Sequence, residues 1–200
     1  MKKAVIGFGG SPRKGGNSDV LLKTILAAAA DRGALTRHVH LRDYQFQPCI
    51  GCEGCRKAKT CVGLNDGMQL LYPRLVESRG LVLVSPTHHY NITAWMKAFI
   101  DRLYCFYDFE DSIPRAWRSR LAGQGRKAAI AAVCEQEDAA DMGFTLDAMR
   151  LPLEALGYEV VDTLTVLRIF HRGKVVDDPV AMAGAAALGI TLADALAASG

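Results

Sequence analysis

Four of the chain's six cysteines fall within thirteen residues: Cys49, Cys52, Cys55 and Cys61, spaced C-x2-C-x2-C-x5-C. Thiolates this close can surround one metal centre from a single loop. The tight run of the first three is the pattern that wraps an iron–sulfur cluster, and Gly51 and Gly54 let the backbone fold closely around one. Zinc sites more often pair two short knuckles across a longer loop. Three readings stay open on these residues: a [4Fe–4S] cluster, free thiols, or zinc. Arg56, Lys57 and Lys59 stand where they could offset a cluster's negative charge. Cys105 and Cys134 read instead as small buried hydrophobes.

Two further stretches carry chemistry. Gly9–Ser18 holds Ser11, Arg13, Asn17 and Ser18 among glycines, between an apolar strand and a helix. Backbone N–H groups and small hydroxyls at a helix N-terminus favour a phosphate. The same residues would serve in a plain turn with Asn17 or Ser18 capping the helix. The stretch is neither G-x-x-x-x-G-K-[ST] nor G-x-G-x-x-G, so ATP and Rossmann-type dinucleotides lose support. Ser85–Thr93 offers Pro86, Thr87, His88, His89, Tyr90 and Asn91, which suit a flat heteroaromatic ring. A phosphate at one loop and a planar ring at the next describe a mononucleotide such as FMN.

The elements that must position these loops follow from the apolar pattern. Strands are expected at Ala4–Phe8, Ala34–Leu41, Leu81–Val84, Ala128–Val133 and Tyr158–Val166. Helices are expected at about Asp19–Asp31, Met68–Ser78, Ala94–Tyr107, Met142–Leu156 and Ala181–Ala198, with Asp66 capping the second. Strands alternating with helices predict an α/β, doubly wound five-stranded parallel sheet in the flavodoxin-like order 2-1-3-4-5, with the cysteine loop, about 48–62, inserted after strand 2. In such a sheet the loops leaving strands 1 and 3 face a shared crevice, which is where the two ligand-like stretches fall.

At 200 residues the expectation is one domain spanning 1–200. The net charge is 24 − 21 = +3, with the basic residues scattered, which argues against nucleic acid. No apolar run is read as a membrane span, since Leu21–Ala30 is broken at Asp31, and no leader peptide is expected. A cytoplasmic location follows, where clustered cysteines mean metal or redox chemistry more often than disulfides.

Gly10–Ser18, Ser85–Thr93 with Lys97 and Asp101-Arg102, Leu156–Glu159 and Gly173–Val176 together resemble the NAD(P)H-dependent FMN reductase family. The cysteine segment resembles that of its iron–sulfur flavoprotein branch. The resemblance implies the flavodoxin-like fold and FMN, with Ser11, Arg13, Asn17 and Ser18 at the phosphate. Ser85, Pro86, Thr87, His88 and Asn91 would lie along the ring and ribityl chain, and Cys49, Cys52, Cys55 and Cys61 would hold the cluster. His88 stands where the family often has Tyr, and the Cys134–Asp138 loop lacks a glycine common there. His88 is the one candidate catalytic residue, as a proton donor to reduced flavin.

Two functions are expected from this. One is an FMN oxidoreductase moving electrons between NAD(P)H, or a reduced protein donor, and an acceptor. The other is an electron-transfer iron–sulfur flavoprotein fed by a ferredoxin-like protein. A homodimer or homotetramer is expected from the Ala-rich last helix and from Tyr104, Phe106, Tyr107 and Phe109.

Overall fold

A computed structural model of the chain describes residues 4–199. Five strands build its sheet: β1 (Ala4–Gly9), β2 (Leu35–His40), β3 (Gly80–Pro86), β6 (Arg126–Val133) and β7 (Tyr158–Val166). They lie in the order β2-β1-β3-β6-β7 with every pairing parallel. Renumbered as sheet strands this is 2-1-3-4-5, the flavodoxin-like doubly wound arrangement. The central strand β3 is buried through Ser85, as a strand covered on both faces must be.

Each face has its own core. On one, α1 (Asn17–Asp31) and α6 (Pro179–Ala198) cover Val5, Val82, Val84 and Ala131. On the other, α3 (Met68–Glu77), α4 (Ala94–Asp101) and α5 (Asp147–Ala155) cover Ile6, Phe8, Leu83 and Ile130. Phe8 and Phe99 stack there with ring centroids 4.3 Å apart. The α1–α6 crossing is tight at Gly189, where a Cβ would stand 2.1 Å from the Ile25 carbonyl oxygen. At 20 residues and mean hydropathy 1.7, α6 is long and apolar enough to cross a membrane. In the fold its Ala185, Leu188, Leu192 and Leu196 are buried in the core it shares with α1.

Three expectations need correction. The helix expected to run to Tyr107 stops at Asp101, because Arg102 turns inward as a fully buried side chain. The chain after it makes one 3-10 turn and then β4 (Tyr107–Phe109), which pairs antiparallel with β5 (Trp117–Ser119). Tyr104 stacks on Phe109 at 4.8 Å and Tyr107 meets Trp117 edge-on at 5.1 Å, so this aromatic segment satisfies part of its own apolar surface. The helix expected from Met142 begins at Asp147, since Gly143 takes φ +53 beneath the Tyr90 backbone. The cysteine loop also contains a short helix, α2 (Gly54–Ala58), bracketed by left-handed Glu53 and Lys59.

Candidate functional site

The carboxyl ends of β1, β3, β6 and β7 open onto one cleft of about 130 Å³. Seven of the nine expected cofactor residues line it: Ser11, Arg13, Asn17, Ser18, Pro86, Thr87 and His88. Ser85 and Asn91 do not. The Ser85 hydroxyl is wholly buried, donating to the Pro86 carbonyl at 2.9 Å and accepting from the Thr93 N–H at 3.3 Å. The Asn91 side chain accepts from the Ile92 N–H at 2.8 Å.

The β1–α1 loop turns tightly into the helix. Gly15 takes φ +67, the Arg13 N–H donates to Ser11 Oγ at 3.2 Å, and α1 starts directly behind with Gly16 as its cap. Neither Asn17 nor Ser18 caps the helix. The Asn17 amide instead donates to the His171 carbonyl at 3.0 Å and accepts from the Val175 N–H at 3.1 Å, which ties the chain after β7 over the cleft. Ser18 Oγ is buried and has no hydrogen-bond partner. A buried hydroxyl left unpaired costs about 1–3 kcal/mol.

Sequence reasoning missed the contribution of the 167–173 loop. Phe170 lies beneath the Arg13 guanidinium at 4.8 Å, and the Phe170 carbonyl accepts from Arg13 at 3.3 Å. Arg172 lines the same cleft and adds a second cation beside Gly15. No motif marks these residues; their only signal is that they follow the last strand of a sheet whose carboxyl edge is the ligand edge.

Opposite stands a tight turn. His88 and Asn91 exchange backbone hydrogen bonds at 2.7 and 3.1 Å, while His89 and Tyr90 both take positive φ, 48° and 61°. Non-glycine residues hold that conformation only when neighbours enforce it. Here the Phe144 N–H bonds the Tyr90 carbonyl at 2.8 Å, and the Thr87 and Thr145 hydroxyls meet at 3.1 Å.

Two imidazoles titrate low, one at the cleft rim and one beside Asp19. For His88, partial burial at the cleft rim, then the Arg13 and His89 charges, hold the pKa below 6.5. For His40, burial outweighs the pull of Asp19 at 3.2 Å and is helped by Arg42. A folded pKa below the unfolded one means the unfolded chain binds more protons, so stability falls as pH drops below about 6.5. Urea midpoints are expected to decline from pH 7.5 to pH 5, and a His40→Gln, His88→Gln chain to lose most of that slope. A slope that the double substitution leaves unchanged would contradict this.

The cysteine loop builds a second cavity, about 430 Å³, lined by Cys49, Cys52, Cys55 and Cys61 and also by Cys105 and Arg102. Cys105 is buried, which pushes its thiol up to about 11. The sulfurs ring the cavity rather than converge: among the described residues no three His, Cys, Asp or Glu side chains are grouped so as to hold a single metal ion. The loop is packed around them all the same, with a Cβ at Gly63 standing 2.4 Å from Cys52 Sγ. The expected counter-charges are largely spent elsewhere, Arg56 on Glu53 and Asp111 and Lys59 on Asp108. The cation at the cavity wall is Arg102, whose Nη2 lies 3.4 Å from Cys61 Sγ.

An iron-sulfur flavoprotein of Methanocaldococcus jannaschii is 36% identical over 98 residues, covering 49% of this chain and 50% of that one. One from Archaeoglobus fulgidus is 38% identical over 99 residues, covering 49% and 44%. The chain thus spans about half the length of the curated relatives it matches. Among solved structures, an NAD(P)H:quinone oxidoreductase from Methanothermobacter marburgensis superposes with TM-score 0.67 at 15% identity, over 95% of this chain and 98% of that one, a likeness of fold. The model of the family described as NADPH-dependent FMN reductase matches residues 3–149. The chain therefore belongs to the NADPH-dependent FMN reductase family.

Proposed function

We propose that the chain is an FMN-dependent oxidoreductase that takes electrons from NAD(P)H, with a [4Fe–4S] cluster on Cys49, Cys52, Cys55 and Cys61 as its second redox centre. The observation that carries the FMN reading is the buried, partnerless Ser18 hydroxyl in a cleft that also holds Arg13 and Arg172 at the start of α1. A phosphate monoester would give that hydroxyl an acceptor and the two guanidinium groups their counter-charge. When bound, FMN supplies exchange between electron pairs and single electrons, and the cluster carries one electron at a time.

The chain's own residues do the rest. Ser11, Arg13, Ser18 and Arg172 would hold the phosphoryl end, while Asn17 fixes the 171–175 segment over it. Pro86, Thr87 and His88 would wall the ring, held by the clamped turn at His89–Tyr90. A neutral His88 can present a nitrogen to a flavin edge without adding a charge. Around the second cavity four cysteine sulfurs would face the cluster, and Arg102, its charge already met by Asp66, would keep a hydrogen-bond donor beside the Cys61 sulfur.

Purified protein is expected to be yellow, to contain iron when prepared anaerobically, and to lose flavin absorbance within seconds of mixing with NADH or NADPH. A second reading, electron transfer from a ferredoxin-like protein, is favoured by the exposure of Cys49 and Cys52 at the cavity mouth. Reduction by a ferredoxin with neither nicotinamide reacting would replace the first reading with the second. A colourless protein that takes up no FMN would sink both. A homodimer or homotetramer remains part of the proposal, with Trp95, Trp117 and Phe144 among the large apolar residues left exposed; gel filtration at the size of one chain would remove it.

A further inference from the structure

Behind the phosphate-type loop, on the side away from the cleft, Asp19 and Arg42 form a nearly buried ion pair, each side chain 10% exposed. Asp19 stands in the first turn of α1. Arg42 comes from the segment after β2, 23 residues on. The guanidinium donates to Asp19 Oδ1 at 2.9 Å and to Oδ2 at 2.7 Å, a two-point contact. The pair then grips the loop at two places. Arg42 Nη1 also donates to the Ser11 carbonyl at 2.9 Å, and Asp19 Oδ2 accepts from the Gly15 N–H at 2.8 Å. Gly15 is the residue at φ +67, where the loop turns towards the helix. Neither Asp19 nor Arg42 lines the cleft.

We propose that Asp19 and Arg42 are positioning residues for the phosphoryl group: together they set the shape of Ser11–Gly16 and so the affinity for a phosphate monoester, without touching it. This rests on the FMN reading of the cleft. Two physical effects run in the same direction. Charge-assisted bonds, stronger than neutral ones, fix both ends of the loop, one part-buried at the Ser11 carbonyl and one exposed at the Gly15 N–H. Arg42 also neutralises a carboxylate that would otherwise sit at the helix N-terminus and compete with an incoming phosphate for its positive end.

The two effects can be separated. If Asp19 were only a repulsive charge, Asp19→Asn would tighten phosphate binding; as part of the brace its replacement loosens the Gly15 turn and weakens binding. Arg42→Gln removes both grip and compensation. Loss of a charge-assisted contact corresponds to about ten- to a hundredfold in affinity.

The test uses the full chain freed of flavin, titrated with FMN and, in parallel, with riboflavin, which has the ring and ribityl chain but no phosphate. Inorganic phosphate is added separately as a thermal-shift ligand. The expected result is that Arg42→Gln and Asp19→Asn each weaken FMN by about ten- to a hundredfold, leave riboflavin affinity unchanged, and lessen the phosphate-induced shift. Arg42→Lys, keeping the charge but not the two-point contact, should fall between. Equal losses for FMN and riboflavin would mean the pair merely supports the fold, and unchanged FMN affinity, or tighter binding by Asp19→Asn, would overturn the brace outright. If wild type binds no flavin, the FMN reading fails. A phosphate shift that the variants lose would then still support the brace, and no phosphate shift in wild type would overturn both.

Discussion

Replacing Arg102 by alanine is expected to destabilise the chain by about 3–5 kcal/mol, the range for removing one partner of a buried ion pair. Its side chain is 1% exposed. Nη1 donates to Asp66 Oδ2 at 2.7 Å and to the Gln47 carbonyl at 2.8 Å, and Nη2 donates to Asp66 Oδ1 at 3.1 Å. Asp66 in turn accepts from the Gln47 and Met68 N–H groups at 3.0 and 3.1 Å. Both ends of the cysteine loop thus hang on one guanidinium. Burial alone would raise the Asp66 carboxyl, but Arg102 and the two backbone donors hold it below its ordinary range. That contribution is complete above pH 3.8 and is lost as pH falls below it, so wild type and Arg102→Ala should converge in strong acid. Urea denaturation at pH 7 and pH 3 reads both effects. A loss under 1 kcal/mol at pH 7 would refute the assignment. Arg102→Met with Asp66→Leu, which leaves no orphaned charge, should recover much of the stability.

Gly189→Val is expected to cost about 3 kcal/mol, at the upper end for overpacking a core. Its Cβ would meet the Ile25 carbonyl oxygen at 2.1 Å and carbon at 3.0 Å, and backbone cannot swing aside as a side chain can. The two helices would have to part. Because α1 begins at the phosphate-type loop, the displacement should also reduce flavin retention after dialysis. Ala187→Val, on the exposed side of the same helix, carries the helix-propensity cost alone, about half a kcal/mol. Equal thermal midpoints for the two variants would show that the crossing has more room than the structure gives it.

The sheet was legible in the sequence because β1, β3 and β6 carry short apolar runs, and strand–helix alternation leaves few topologies. Tyr158–Val166 was read to the residue. What escaped depends on partners far along the chain. Arg102 reads as a surface helix cation until Asp66, 36 residues earlier, is seen beside it. Asn17 reads as a helix cap until His171 and Val175 claim its amide. β4 and β5 are three residues each, too short for an alternation to register. Arg172 and Phe170 lie in a loop with no motif, beyond the residues 3–149 matched by the family.

The short helix α4 has a mechanical consequence. At its head the Thr93 hydroxyl accepts from the Met96 N–H at 3.3 Å and donates to the Gly10 carbonyl at 2.7 Å, where the β1 loop departs. Just past its tail Arg102 holds the cysteine loop. Eight hydrogen-bonded residues, about 12 Å of rod, therefore join the two redox candidates in series. A pull that drags Arg102 outward is delivered to the Gly10 carbonyl with little slack, so tightening one loop cannot leave the other's footing where it was.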